Sequence, residues 1–284
     1  MALECTPIMP TFGAVVRGAD VSALDDALFA EILDAFHVHG LLVFPQQTLT
    51  PEHEVAFARR FPHGEGMPNY TEHTLPGIPE VQRLGNAESD GKPIALLNKI
   101  GIEWHTDGTS RQRPCVATQL YCIEAPQKGG ETLFASACAA YDLLPEATKA
   151  RINGMKVRYN YKNIVSKVNA ASGGAMVERA LREWDDVVHP LVRTHPVTGR
   201  RALWVTPAEM VTIDGMEPEE SLAFVEELMA PGTTDEHVYA HTYRPGDLVV
   251  WDNRSMLHST TPYIFHGQTR LLHRVALNGN EIPV

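Results

Sequence analysis

The amino-acid sequence predicts a mainly β fold with flanking helices, and three observations indicate it. Short apolar segments bounded by turn residues recur through the middle and C-terminal parts of the chain, and few helical patterns alternate with them. No glycine-rich phosphate-binding motif follows a strand, which disfavours a doubly wound parallel sheet. No internal repeat or linker marks a boundary, so we expect residues 1–284 to form a single domain, an antiparallel sandwich or barrel.

The N-terminal part of the chain predicts the order strand, helix, strand, helix. Ser22 is the expected N-cap of a helix over residues 23–39, which carries an apolar residue every four positions, and Gly40 follows where that helix should end. Residues 41–44 (LLVF) predict a buried strand. A second helix is predicted over residues 50–61, because Thr50-Pro51 supplies a cap and then a proline at the first helical position.

The rest of the chain carries mostly β signals. Strands are predicted near residues 81–84, 115–123, 131–136, 201–205, 247–251 and 269–277. Two further helices are expected near residues 138–152 and 218–229. The stretches near 62–101 and 159–186 are long and irregular, and such segments of a compact domain are usually binding loops or lids.

Charge and hydropathy narrow the class of partner. The chain has 24 basic and 35 acidic side chains, a net charge of −11, and no basic tract, which argues against nucleic acid or an anionic membrane. No apolar run approaches the roughly 18 residues of a membrane span, and the N-terminus lacks a signal-peptide pattern, so we expect a cytoplasmic protein. The four cysteines form no C-x-x-C pair, which indicates neither a disulfide framework nor a cysteine zinc site.

The thirteen histidines raise the question of a metal site, because histidine is the commonest metal ligand. In Trp104-His105-Thr106-Asp107, an extended backbone would point His105 and Asp107 to the same face. This H-x-D pattern is weak by itself, since a turn with solvated side chains produces it equally well. A third ligand could come from His258, which follows an apolar strand and a polar turn.

Two arginines follow His258 on one face of the last predicted strand. Arg270 and Arg274 lie about 13 Å apart at roughly 3.3 Å per residue, and two arginines on an apolar face need anions to neutralise them. Surface ion pairs are the alternative for each. Two histidines and a carboxylate form the facial triad of non-haem Fe(II) oxygenases. A zinc hydrolase also uses this ligand set, but it gives no reason for an arginine beyond the distal histidine.

At this point the chain resembles a known family, the Fe(II)- and 2-oxoglutarate-dependent dioxygenases typified by taurine dioxygenase and 2,4-dichlorophenoxyacetate dioxygenase (TauD/TfdA). The resemblance extends from about Gly13 to Leu277, and the order and spacing agree, with 150 residues between Asp107 and His258. It is carried by GLLVFPQQTLTPEHEVAFARRF (40–61), WHTDGT (104–109), GGETLFAS (129–136), HPLVRTHPVTGRRALWV (189–205), GDLVVWDNRSMLH (246–258) and TRLLHR (269–274).

The resemblance implies a double-stranded β-helix (jelly roll) and assigns the main site. His105, Asp107 and His258 match the ligands of Fe(2+), which are also the catalytic residues. Arg270 matches the arginine that pairs with the distal carboxylate of 2-oxoglutarate, and Thr132 matches a hydroxyl residue that contacts the same cosubstrate. The implied reaction uses O2 to convert 2-oxoglutarate to succinate and CO2 while it oxidises a C–H bond of a small organic substrate.

The resemblance also implies substrate contacts. Arg274 matches the arginine that binds the anionic head of the substrate in taurine dioxygenase, so a small anion is expected. Tyr70, His73 and Asn98 lie in the first lid segment and could line the pocket, or be solvated loop residues. Members of the family often form dimers or tetramers, so a homo-oligomer is possible here.

Two other functions are consistent with parts of the pattern. One is a metal-dependent oxygenase or hydrolase that does not use 2-oxoglutarate. The other is a non-catalytic binding protein that kept the fold, although such a protein would have no need of H-x-D, His258 and Arg270 together.

Overall fold

The computed structural model describes residues 3–62, 64, 73–96, 103–163, 185–261 and 267–284. Its strands are β1 (Glu4–Pro7), β2 (Ala14–Arg17), β3 (Leu41–Phe44), β4 (Thr74–Leu75), β5 (Ile78–Gly85), β6 (Glu88–Ser89), β7 (Lys92–Pro93), β8 (Cys115–Glu124), β9 (Thr132–Ser136), β10 (Lys156–Tyr159), β11 (Val187–Pro190), β12 (Val192–Thr194), β13 (Arg201–Leu203), β14 (Met210–Ile213), β15 (Val238–His241), β16 (Leu248–Asp252), β17 (Met256–Thr260) and β18 (Leu271–Asn278). Its α-helices are α1 (Asp26–His39), α2 (Pro51–Ala58), α3 (Ala137–Asp142), α4 (Glu146–Ile152) and α5 (Pro218–Met229). The predicted mainly β composition with flanking helices is confirmed.

Two sheets build the centre of the molecule. The larger has eight strands in the order β1-β2-β3-β16-β8-β18-β5-β4, and all its neighbours are antiparallel except β2 and β3. The smaller has three antiparallel strands in the order β15-β9-β17. Strands distant in sequence are therefore neighbours, and this brings residues of H-x-D and of the C-terminal segment to one place.

The alternation of side chains along β16 shows how the large sheet is covered on both faces. Leu248 and Val250 belong to a core that the sheet shares with α1 and α2. Val249 and Trp251 belong to a second core, which includes Phe134 of the small sheet. Because neighbouring residues of a strand point to opposite faces, one strand contributes to both cores. The two sheets therefore pack face to face, and helices cover the outer side.

The first predicted helix starts later than the sequence indicates. Asp25, and not Ser22, is the N-cap of α1, and its Oδ1 accepts a hydrogen bond from the backbone N–H of Leu28 at 2.8 Å. Residues Val21–Ala23 form a separate turn of 3-10 helix. The prediction for the other end is confirmed, because Gly40 takes a left-handed conformation with φ of 68° and ends the helix.

Two other helix predictions need correction. The second helix, α2, ends at Ala58 and not at Phe61. The predicted helix over 138–152 is two helices, because the chain turns at Leu143-Leu144 and Pro145 precedes α4. In the first predicted lid segment, the described residues from 73 to 96 hold the eight-residue strand β5 and three two-residue strands, β4, β6 and β7. Among the described residues, no helix has the length and apolar character needed to cross a membrane.

Candidate active site

The two candidate histidine ligands face each other across a single β-bridge. The backbone N–H of His105 donates to the carbonyl of His258 at 2.9 Å, and the N–H of His258 donates back at 2.8 Å. The two imidazole ring centres are 4.0 Å apart. Residues 104–107 do not form the extended strand that would point His105 and Asp107 to one face, because only His105 pairs and Asp107 begins a turn. The bridge nevertheless joins the first and third ligand positions directly.

These histidines and Asp107 form a compact donor set. One ligand atom from each of His105, Asp107 and His258 lies within 4.8 Å of the other two. The Nδ1 of His105 lies 2.8 Å from the carbonyl oxygen of Glu103, so a proton on Nδ1 donates to that carbonyl and leaves the Nε2 lone pair available. The Nε2 of His258 faces Asp107 Oδ2 at 3.9 Å. Two imidazole nitrogens and one carboxylate oxygen therefore fit a non-haem Fe(II) site.

The electrostatics of this cluster favour the protonation states that a metal requires. Burial would raise the pKa of Asp107, but the Arg274 guanidinium, 2.6 Å from Oδ1, outweighs it together with the two histidines and holds this pKa well below its usual range. Burial and the neighbouring His105 lower the pKa of His258 well below its usual range. The carboxyl group is thus anionic and the imidazole of His258 neutral near pH 7, as metal ligands must be.

Arg270 is buried beside polar groups near the small sheet. Its Nε donates to the carbonyl of Gly130 at 3.0 Å, and its guanidinium carbon is 5.6 Å from the centre of the Tyr243 ring. The hydroxyl of Tyr243 lies 2.9 Å from Thr132 Oγ1. Burial raises the pKa of Tyr243, so its hydroxyl remains protonated. The two predicted cosubstrate residues, Arg270 and Thr132, therefore lie on either side of Tyr243, and both are buried.

The position of Arg270 is fixed by two glycines that pack closely against it and by an asparagine that binds its backbone. A side chain at Gly130 would place its Cβ 2.9 Å from Arg270 Cδ, and one at Gly85 would place it 1.7 Å from the Arg270 carbonyl oxygen. Asn86 accepts from the Arg270 N–H at 2.7 Å and donates to the Gln268 carbonyl at 2.9 Å. Two glycines thus leave room for the arginine, and Asn86 holds the backbone at Gln268 and Arg270.

The expected substrate residues are only partly placed. Arg274 points to the candidate metal ligands, where its Nη2 contacts Asp107. Its Nη1 donates to Gln82 Oε1 at 3.2 Å, and a quarter of the Arg274 side chain is exposed. His73 is half-buried next to Thr74, which pairs with Gln82 across the strands. Tyr70 and Asn98 lie outside the described residues.

Sequence reasoning did not identify Tyr243 or Thr118. Thr118 Oγ1 donates to Asp107 Oδ2 at 2.6 Å, and it lies on β8, whose segment CVATQLYCI carries polar residues at buried positions. That pattern is a usable signal, because a buried polar side chain needs a partner. Tyr243 follows a small-sheet strand in AHTYRPGD and has no comparable signal.

The chain is similar to known proteins over almost its whole length. A family model described as "Taurine catabolism dioxygenase TauD, TfdA family" matches residues 4–276. The chain is 34% identical over 267 residues to the (S)-phenoxypropionate/alpha-ketoglutarate-dioxygenase of Sphingobium herbicidovorans, with 92% of this chain and 90% of that protein covered. It is 31% identical over 272 residues to the pentalenolactone F synthase of Streptomyces arenae, with 90% and 89% covered. The solved structure of AAD-2 in complex with Mn(II) and N-oxalylglycine, an analogue of 2-oxoglutarate, has a TM-score of 0.85 at 26% identity and covers 100% of this chain and 99% of its own.

Proposed function

Because the chain belongs to the TauD, TfdA family of 2-oxoglutarate-dependent dioxygenases, we propose that His105, Asp107 and His258 hold its Fe(II) and that Arg270 and Thr132 hold its 2-oxoglutarate. When bound, Fe(II) supplies the O2 activation that couples oxidative decarboxylation of 2-oxoglutarate, to succinate and CO2, with oxidation of a substrate C–H bond. The observation that carries the assignment is the clustering of the three ligand atoms within 4.8 Å.

The register of the small sheet supports the placement of the cosubstrate. His258 on β17 pairs with Phe134 on β9, and Thr132 lies two residues before Phe134 on the same strand. Two residues of a strand span about 7 Å, a distance comparable to the length of a five-carbon dicarboxylate. One carboxylate can therefore reach Arg270 and Thr132 while the other end of the molecule lies at the metal.

The chain's own residues then have separate tasks. Arg270 neutralises and orients the distal carboxylate, since a planar guanidinium offers two parallel N–H donors. Asp107 stays anionic and His258 neutral, so both lone pairs are available at pH 7. Trp251 and Phe134 are almost fully buried and pack beside His258, with ring centres 4.8 Å and 6.4 Å away, which limits water on that side.

We also propose that the chain is one catalytic domain with a double-stranded β-helix. The eight-stranded and three-stranded sheets share the core that contains Trp251 and Phe134, and this arrangement supports a two-sheet jelly roll. The family match over residues 4–276 supports a single unit.

For the substrate we propose a small organic carboxylate that pairs with Arg274. Its guanidinium lies 2.6 Å from Asp107 Oδ1 and a quarter of its side chain is exposed, so an anion bound there would lie beside the proposed metal ligands. The name of the Sphingobium relative indicates an aryloxyalkanoate as its substrate. An aryl carboxylate therefore combines the anion that Arg274 needs with a C–H bond close to the metal.

The substrate proposal is tested by succinate formation with matched organic compounds. Purified protein with Fe(II) and 2-oxoglutarate is given (S)-phenoxypropionate, its neutral methyl ester, or taurine. We expect the carboxylate to stimulate succinate formation and the ester to do so much less. This difference in stimulation between acid and ester should be abolished in Arg274→Gln and partly kept in Arg274→Lys, which retains the positive charge. Equal stimulation by acid and ester would contradict the role of Arg274.

A further inference from the structure

A buried asparagine lies directly behind the candidate metal carboxylate. Asn253 follows β16 in the WDNR turn and has no exposed surface. Its Oδ1 lies 2.9 Å from the indole Nε1 of Trp251 and 3.3 Å from the backbone nitrogen of Asp107. Its Nδ2 lies 2.9 Å from the hydroxyl oxygen of Thr118. The side-chain amide of Asn253 therefore contacts three residues, Trp251, Asp107 and Thr118.

The partners of Asn253 determine which way its amide points. An indole N–H and a backbone N–H can only donate, so the atom that faces Trp251 and Asp107 must be the carbonyl oxygen. The NH2 group then faces Thr118 and donates to its oxygen. This orientation follows from the donor chemistry alone and does not depend on telling nitrogen from oxygen.

The same reasoning fixes the hydroxyl proton of Thr118. A hydroxyl has one proton, and its oxygen already accepts from Asn253. The remaining neighbour is Asp107 Oδ2 at 2.6 Å, which as a carboxylate oxygen can only accept. The proton must therefore lie on the Thr118–Asp107 line. Oδ2 is also the oxygen that lies 3.9 Å from His258 Nε2, and it keeps a second lone pair after it accepts from Thr118.

We propose that Thr118 and Asn253 are positioning residues for the metal ligand Asp107: Asn253 directs the Thr118 hydroxyl, and this hydroxyl holds Oδ2 toward the metal. Arg274 holds the other oxygen, so the carboxylate cannot rotate freely. The inference rests on the proposed function, because it gives Asp107 a metal to bind. It adds a role for two residues that contact neither 2-oxoglutarate nor substrate in that proposal.

The test measures Mn(II) affinity in the absence of O2, by the EPR signal of free Mn(II), for wild type, Thr118→Val and Thr118→Ser. Valine has the shape of threonine without its hydroxyl, whereas serine keeps the hydroxyl. Loss of a group that orients a metal ligand weakens metal binding by about 10–100-fold, so we expect that loss in Thr118→Val and recovery to within about threefold in Thr118→Ser. With saturating Fe(II), the KM for 2-oxoglutarate should change by less than about threefold, because Arg270 is untouched.

A matched control separates positioning from stability. Ser221 lies on α5, outside the site, and its buried hydroxyl oxygen accepts a hydrogen bond from the Ile213 N–H at 2.9 Å. Ser221→Ala removes this hydroxyl. It should lower the thermal stability of the metal-free protein and keep wild-type Mn(II) affinity. If Thr118→Val is folded and binds Mn(II) as tightly as wild type, or if serine does not restore the affinity, the inference is wrong. Failure of wild type itself to bind Mn(II) would instead contradict the proposed function.

The role of Asn253 is tested by a double-mutant cycle, again on Mn(II) affinity. If Asn253 acts through Thr118, the loss in the Asn253→Ala, Thr118→Val double variant is clearly smaller than the sum of the two single losses. Additive losses would show that Asn253 does not direct the hydroxyl. Where Asn253→Ala does not fold, Asn253→Ser keeps a small polar group and replaces it in the cycle.

Discussion

Two buried carboxylates of this protein, Asp107 and Asp252, each contact an arginine and lie close to histidine, yet their surroundings differ. At Asp252, Oδ1 accepts from the N–H and Nε of Arg254, while Oδ2 accepts from Nη2 of Arg254 and from Nε2 of His195, all within 2.9 Å. At Asp107, by contrast, one oxygen faces Arg274 and the other retains a lone pair toward His258.

The histidines differ in the same way. His195 Nδ1 lies 3.2 Å and 3.1 Å from the backbone N–H groups of Val197 and Thr198, so it accepts from them, and the proton must be on Nε2, which donates to Asp252. The Nδ1 of His105 faces the Glu103 carbonyl instead, which leaves Nε2 with its lone pair. Identical residue types therefore give a closed structural cluster at Asp252 and an open ligand cluster at Asp107.

The largest expected effect is on metal binding at the open cluster. Asp107→Ala removes a proposed metal ligand. Loss of a group that only orients a ligand weakens metal binding by up to about 100-fold, so the fall in Mn(II) affinity of this variant should be larger than that. The metal-free variant should remain folded, since Arg274 reaches solvent with a quarter of its side chain. Mn(II) titration by EPR checks the first statement and thermal unfolding the second. Retained affinity would show that Asp107 is not a ligand.

At the closed cluster, loss of the carboxylate of Asp252 should lower the stability of the fold. Asp252→Asn leaves the buried Arg254 without its counter-charge, and breaking such a pair costs about 3–5 kcal/mol in the free energy of unfolding, measured in urea at pH 7. The exposed pair of Asp142 and Arg200 is the control, and Asp142→Asn should cost less than about 1 kcal/mol. A loss no larger than the control's would mean that the Asp252 cluster does not stabilise the fold.

The contribution of Asp252 to stability should depend on pH. Burial would raise the pKa of Asp252, but Arg254 and His195 outweigh it and hold the pKa well below its usual range. A depressed pKa contributes stability above the unfolded value of about 3.9 and loses it as the pH falls toward the folded value. The gap in unfolding free energy between wild type and Asp252→Asn should therefore narrow below about pH 4. A constant gap down to acid unfolding would contradict this.

An intermediate effect is expected on the cosubstrate. Arg270→Ala removes the proposed buried charge partner of the distal carboxylate of 2-oxoglutarate, a loss of about 2–5 kcal/mol, so the KM for 2-oxoglutarate should rise by at least about 30-fold. Mn(II) affinity without 2-oxoglutarate should be unchanged. Arg59→Ala, at an arginine 57% exposed and paired with Glu80, should leave both values as in wild type. An unchanged KM in Arg270→Ala would support an enzyme that does not use 2-oxoglutarate.

The smallest effect should come from Gly130→Ala. The new Cβ would lie 2.9 Å from Arg270 Cδ and impose a side chain on a backbone with φ of +75°. We expect a loss of about 1–2 kcal/mol in stability and a rise of about tenfold in the KM for 2-oxoglutarate. Gly199→Ala has a similar φ of +69° with no atom within 4 Å, so it should lose stability but keep the wild-type KM. If both variants have the same KM, the packing of Gly130 against Arg270 does not position the arginine.

Much of the site could be predicted because its signals are local or follow from family resemblance. H-x-D, His258 and the face shared by Arg270 and Arg274 are short patterns, and the structure brings them together. Thr118 and Asn253 are 135 residues apart, and their contact depends on the pairing of β8 with β16, which no local pattern specifies. The predicted start of α1 is wrong for a related reason, because several residues near Ser22 can cap a helix and the local sequence does not select Asp25 among them.

We expect this chain to bind Fe(II) and 2-oxoglutarate at one site. The most direct measurement is the visible absorption of the protein reconstituted with both under anaerobic conditions. Wild type should show a weak metal-to-ligand charge-transfer band that requires Fe(II) and 2-oxoglutarate together, and Asp107→Ala should not show it. A correctly folded wild-type protein without this band would contradict the claim.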